Sequence, residues 1–213
     1  MAHNKKLKAE IKALLEKLIP TKTHEGSSTI INGPSLEIQQ QVPQRLLEIA
    51  NEFTESRRTV IKALVKVIDN PRAKKRFMIS HQWRTAIDVL GRLRATEAID
   101  VLTKNIDETD QRLTIVYVFH GPAVVALAQI GEPAVPRLIK ALSRKKAAVR
   151  REAAYTLGLI GGSDAERALE KALKKEKNKD VIHFIKAALP AEGLRSLPTR
   201  ELLNPRTYKM SRQ

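Results

Sequence analysis

The sequence contains no cysteine and few aromatic residues. Without cysteine, the chain cannot form disulfides, use a catalytic thiolate or bind a metal through sulfur. Aromatic residues make up 4% of the 213 residues and include one tryptophan, which argues against base stacking as a main mode of nucleic-acid binding. No apolar run reaches the roughly 18 to 20 residues of a membrane span, and no secretory signal is evident. We therefore expect a cytoplasmic protein.

Motifs of catalysis and of metal or nucleotide binding are also missing. The five histidines are scattered, and neither H-E-x-x-H, G-x-G-x-x-G, a Walker loop nor G-x-S-x-G occurs. The glycine-rich run GLIGG at 158–162 has the composition of a helix end. The sequence therefore predicts no catalytic residue, no metal site, no cofactor and no small-molecule substrate.

Acidic residues are outnumbered by basic ones. The chain has 39 Lys and Arg against 23 Asp and Glu, which gives a formal net charge of +16. An excess of this size favours anionic macromolecular partners, such as nucleic acid, a ribonucleoprotein or an acidic protein surface. At 42% hydrophobic content the chain can still bury a substantial core.

A short motif with lysine two positions after a leucine occurs five times. The copies are LEKLI at 15–19, LVKVI at 64–68, LTKNI at 102–106, LIKAL at 138–142 and LEKAL at 169–173. Self-similarity at such spacings is typical of stacked supersecondary units. The chain is therefore expected to be a repeat array.

Each unit is predicted to be a pair of helices. In the unit nearest the C-terminus, apolar residues recur at the spacing of one helix face, at Val149, Ala153, Leu157 and Ile160. Gly161 then supplies a residue that can end this helix. A capping box from Ser163 to Glu166 is predicted to open the second helix.

The segment AAVRREAAYTLGLIGGSDAERALEKAL at 147–173 resembles the HEAT-like repeats of the phycobilisome-lyase type, which occur in many bacterial proteins. Further copies at 86–106 and 123–142 extend the resemblance over roughly 81–189. The resemblance implies an all-α fold, a right-handed α-solenoid of short helical hairpins with a scaffold role. It also implies that Arg150 bonds into the turns between units.

Three regions are expected along the chain. Residues 1–35 form an N-terminal amphipathic helix and a mobile loop, and residues 36–189 form the solenoid, interrupted by an insertion at 105–121. Residues 190–213 form a basic, proline-containing tail.

Two sets of basic residues are the candidate partner-binding site. A helical residue two positions after a buried leucine lies about 200° around the helix, so the motif lysines should face away from the core. In stacked HEAT-like units they would form a ladder on the concave face, made of Lys66, Lys104, Lys140 and Lys171. The second set lies in turns and helix starts: Arg144, Lys145, Lys146, Arg151, Arg72, Lys74, Lys75 and Arg76.

These residues predict a non-enzymatic HEAT-repeat binding or scaffold protein. Its basic concave face and basic turns would engage an anionic macromolecule, either nucleic acid, a ribonucleoprotein or an acidic protein. One alternative, implied by the resemblance, is a bilin lyase or isomerase-like or chaperone-like HEAT protein. Another is a neutral protein–protein adaptor whose lysines serve only solubility.

Overall fold

The computed structural model describes residues 2–25, 28–70, 81–108 and 120–189. Within these ranges the chain is helical except for one short β-hairpin, so the predicted all-α class is confirmed. The chain divides into two compact units, residues 1–101 and 102–213. The predicted tail at 190–213 and most of the predicted insertion lie outside the described residues, and the predicted region boundaries stay predictions.

The helices of the first unit form around a shared apolar core. They are α1 (Ala2–Glu16), α2 (Leu36–Glu52), α3 (Thr54–Asp69) and α4 (His81–Arg92), followed by a 3-10 turn (Thr96–Ala98) and the start of α5 (Ile99–Lys104). Helix α2 packs against α3, α4 packs against both, and α1 also contacts both. Leu46, Leu64 and Ile87 are fully buried, because the apolar stripe of each helix turns inward.

A β-hairpin follows α1, where the sequence predicts a mobile loop. Strand β1 (Thr21–Glu25) pairs antiparallel with β2 (Ser28–Asn32), with Thr21 opposite Asn32 and Glu25 opposite Ser28. Loop composition misled that prediction, because the segment is also rich in β-branched threonine and isoleucine, which favour strands. Helix α2 then begins at Leu36, where the Ser35 side chain accepts a hydrogen bond from the Ile38 N–H.

The second unit contains helices stacked as successive hairpins. They are α6 (Pro122–Ile130), α7 (Val135–Ala141), α8 (Ala147–Ile160), α9 (Ser163–Leu173) and α10 (Lys179–Ala188). Helix α8 packs against the other four, and α7 packs against α9. Helix α8 thus meets both its neighbours in sequence and the equivalent helices of the adjoining hairpins, as in an α-solenoid. The leucines at the centre of this packing are at most 1% exposed: Leu127, Leu138, Leu157 and Leu169.

Two glycines separate α8 from α9. Gly161 has a φ of 69° and its N–H donates to the Leu157 carbonyl at 2.7 Å, so it ends α8 as predicted. The predicted capping box is wrong, because Gly162, with a φ of 94°, is the N-cap and no side chain bonds at that position. Ser163 is instead the first helical residue. Asp164 and Glu166 lie in the first turn, where negative charge complements the helix dipole.

Across the described ranges, a helix with the length and hydropathy of a bilayer span is not found.

Candidate binding groove

Arg150, in the first turn of α8, links two turns of the second unit. Its Nε donates to Glu176 Oε2 at 2.7 Å, and its Nη2 donates to Glu176 Oε1 at 2.9 Å. Its Nη1 donates to the carbonyl oxygens of Arg144 and Lys145, both at 2.8 Å. The planar guanidinium therefore fixes the turn before α8 against the turn after α9, which is the structural role that the sequence predicts for Arg150.

Glu176 is held in its charged form by this contact. The guanidinium of Arg150, together with the N–H groups of Lys177 and Asn178, lowers the pKa of Glu176 to about 2 despite its burial. The same hydrogen bonds raise the pKa of Arg150. The side chain of Glu176 is 9% exposed and that of Arg150 is 17% exposed. The negative charge of Glu176 is thus neutralised inside the unit.

A groove of about 540 Å³ opens beside this pair. It lies between α7, the turn that follows α7, helix α9 and the turn after α9. Its apolar lining consists of half-buried aliphatic residues, Ile139, Leu142, Ala168 and Ala172. Its basic lining consists of exposed cations, Arg144, Lys171, Lys175 and Lys177. The groove therefore combines an aliphatic floor with a cationic rim.

The four rim cations have no ion pair with any residue that the structure describes. Glu176 is the one acidic residue among the described residues that line the groove, and Arg150 already pairs with it. Like charges brought together without counter-charges repel each other. A bound anion would relieve that repulsion, so this groove is the candidate site.

The family model of HEAT repeats matches residues 121–189, which cover helices α6 to α10. Residues 121–189 are HEAT repeats. The predicted resemblance is confirmed over this part of the chain, while the copy predicted at 86–106 and the lyase type stay predictions. Repeat architectures of this kind present extended binding surfaces, so we treat the HEAT segment as a scaffold for macromolecular partners.

Several solved structures are distantly similar in fold. An engineered protein is 21% identical, with 88% of this chain and 80% of that chain covered and a TM-score of 0.38. A designed armadillo repeat protein in complex with the peptide (KR)4 is 20% identical, with 88% and 86% covered and a TM-score of 0.35. At TM-scores this low the likenesses support no inference about function. Comparison with curated proteins gives no match.

The motif lysines occupy the exposed positions that the helical geometry predicts. Lys140 and Lys171 are exposed on α7 and α9 of the HEAT segment, two residues after the buried Leu138 and Leu169. Only Lys171 of these two lines the groove. Lys66 on α3 and Lys104 at the end of α5 are exposed in the same way. Their use as one ladder stays a prediction.

The predicted basic turn residues that the structure describes divide into two groups. Arg144 lines the groove, and Lys145 is exposed beside it. Lys146 already forms an ion pair with the buried carboxylate of Asp107. Arg151 already bonds to Glu152 and does not line the groove. The remaining predicted residues, Arg72, Lys74, Lys75 and Arg76, lie outside the described residues.

Sequence reasoning missed two of the groove cations. Lys175 and Lys177 follow α9 in the run KKEKNK at 174–179, which a charge count alone assigns to a solvated surface. The available signal was Glu176 in the middle of that run. An acid that pairs with Arg150 brings its flanking lysines to the turn before α8.

A second polar cluster in the HEAT segment surrounds the buried Glu152. Arg151 donates to Glu152 Oε1 at 2.7 and 2.9 Å, and His120 Nδ1 lies 2.6 Å from Oε2. The His120 ring stacks on Tyr155 with centroids 3.5 Å apart, and the edge of Phe184 meets both rings. Both carboxylate oxygens are therefore satisfied. The cluster joins α8 to α10 and to His120, which lies two residues before α6.

Proposed function

We propose that this chain is a non-enzymatic scaffold whose HEAT segment binds an anionic macromolecule in the groove. One observation carries the proposal: four cations that have no ion pair with a described residue line a groove in which the one described acid, Glu176, is already paired with Arg150. The partner class includes nucleic acid, a ribonucleoprotein and an acidic protein, since each presents closely spaced negative charges.

The charge of the HEAT segment supports this function. Residues 121–189 contain 14 Lys and Arg and 7 Asp and Glu, a difference of +7. Several of these charges cancel locally, as in the pairs Arg150–Glu176 and Arg167–Asp164. The groove cations do not, so they supply a local positive field that attracts an anion and speeds its association.

The motif lysines would extend the same surface. Lys140 is exposed on α7, which packs directly against α9, the helix that carries Lys171. A partner longer than the groove can therefore contact Lys140 as well.

Equilibrium binding of two anionic probes tests the proposal. The probes are a fluorescein-labelled single-stranded oligonucleotide and labelled polyglutamate. In one variant the groove lysines (Lys171, Lys175 and Lys177) are all changed to Gln. The matched control changes to Gln three lysines of α1, which we call the α1 lysines (Lys5, Lys6 and Lys8). They are exposed and have no ion pair in the described part of the chain.

The groove variant should bind at least one of the probes more weakly than wild type, and the control should not. For the oligonucleotide, each phosphate contact contributes about −0.7 to the slope of log K against log salt, so three lost contacts should flatten the slope by about 2. Equal weakening in both variants would show that only net charge matters. Unchanged binding in the groove variant would refute the proposal.

A further inference from the structure

We infer that the groove accepts an acidic protein segment with one apolar anchor side chain, and not a nucleic-acid backbone. This inference rests on the proposed function, because it uses the same groove. It narrows the partner from any anionic macromolecule to an extended peptide in which Asp or Glu flanks a residue such as leucine.

The floor of the groove provides the first reason. The floor is formed by half-buried residues, Ile139 and Leu142 on one side and Ala168 and Ala172 on the other. Each of these residues still exposes apolar surface to water. Covering that surface is favourable only if the partner brings an apolar group. A phosphodiester backbone carries charge and sugar but no aliphatic side chain, whereas a leucine between two acids matches both floor and rim.

The composition of the lining provides the second reason. None of the described residues lining the groove is aromatic, and proteins that bind single-stranded nucleic acid rely on aromatic side chains as stacking platforms. The volume of about 540 Å³ lies within the roughly 300 to 1,000 Å³ of small-molecule sites. The groove therefore has room for an apolar anchor side chain such as leucine.

The remaining hydrogen-bonding capacity of Arg150 suits a carboxylate. Four of the five N–H groups of its guanidinium donate to Glu176 and to the carbonyls of Arg144 and Lys145. The fifth, on Nη2, has no acceptor among the described residues. Arg150 lines the groove, so a partner carboxylate can accept from this N–H without breaking the pair with Glu176.

Three probes of equal charge test the inference on the full chain. The first is a short labelled peptide with glutamates on both sides of one leucine, and the second has serine in place of that leucine. The third is a single-stranded oligonucleotide with the same number of negative charges. The leucine peptide should bind about tenfold more tightly than the serine peptide, the effect of burying most of one leucine side chain.

Substitutions of the floor residues then test whether the leucine side chain of the peptide binds in the groove. Ala172→Leu fills the groove without changing its charge, so it should remove the preference for leucine over serine while the salt dependence of serine-peptide binding stays unchanged. If Ala172→Leu melts at a lower temperature than wild type, Ile139→Ser provides a second floor variant with the same expected loss of preference. The groove-lysine variant should weaken both peptides alike.

The outcomes separate the inference from the proposed function. Tighter binding of the oligonucleotide than of either peptide, or equal binding of the two peptides, would overturn the acidic-peptide inference and leave the anion-binding groove standing. Failure of all three probes to bind would overturn both. A preference for leucine that survives the floor variants would place the apolar contact elsewhere and also refute the inference.

Discussion

Replacing Glu176 with glutamine should destabilise the HEAT segment in a pH-dependent way. In the folded protein the pKa of Glu176 is about 2, below its ordinary value of 4.5, because Arg150 and two backbone N–H groups hold the carboxylate charged. A group whose pKa is depressed by folding stabilises the folded state above its unfolded pKa. Its contribution is therefore complete above pH 4.5 and is lost as the pH falls toward 2.

The size of the effect follows from the contacts. Two hydrogen bonds of 2.7 and 2.9 Å join charged groups that are mostly shielded from water. A hydrogen bond to a charged group contributes about 1.5 to 3 kcal/mol. Glutamine keeps one oxygen acceptor but turns an N–H₂ toward the guanidinium. We expect Glu176→Gln to lower the free energy of unfolding by about 1 to 3 kcal/mol at neutral pH.

Thermal unfolding followed by circular dichroism between pH 7 and about pH 3 measures this effect. The difference in Tm between wild type and Glu176→Gln should be largest near neutrality and should shrink below pH 4.5. Glu170→Gln is the matched control, since Glu170 is exposed on α9 and has no ion pair in the described part of the chain. A difference that is constant across the pH range, or an equal effect of the control, would refute the reasoning.

Four further substitutions, of which Lys171→Ala is the surface control, test the packing of the same unit, each by chemical denaturation. Leu157→Ala should cost about 2 to 5 kcal/mol because Leu157 is fully buried, and Lys171→Ala should cost under about 0.5 kcal/mol; similar costs for the two would contradict the stacked-helix core. Glu152→Ala should cost about 2 to 4 kcal/mol, since it leaves His120 and Arg151, both only partly exposed, without their carboxylate partner; an unchanged midpoint would mean that the cluster is not structural. Gly121→Ala should cost about 1 to 3 kcal/mol, because its new Cβ would overlap the Glu108 carbonyl; wild-type stability would show that these two backbones are not in contact.

The periodic pattern of the sequence was sufficient to predict the helices of the HEAT segment. Leucines at helical spacing, followed by Gly161, predict both the buried face and the end of α8, since burial and helix termination are local properties. The hairpin at 21–32 was missed because its β-branched residues lie among turn-forming ones. The capping box failed because Gly162 adopts a positive φ and takes the cap position, which only the path of the backbone reveals.

The groove was only partly predictable. The exposure of Lys171 follows from its position after a buried leucine, which is a local argument. Lys171 lies in the same groove as Arg144, Lys175 and Lys177 because α7 packs against α9 and because an ion pair joins two residues that are 26 apart in sequence. Such long-range contacts leave no periodic signal in a single sequence. For the same reason the sequence did not reveal that Lys146 and Arg151, which it predicts to bind a partner, already form ion pairs within the fold.

Lysine footprinting tests most directly whether the groove binds anions. The chain is treated with acetic anhydride with and without saturating polyglutamate or oligonucleotide, and mass spectrometry measures the acetylation of each lysine. We predict that at least one probe protects the groove lysines several-fold while the α1 lysines react as they do in the free protein. Equal protection of both sets of lysines, or full reactivity of the groove lysines in the presence of both probes, would contradict the account.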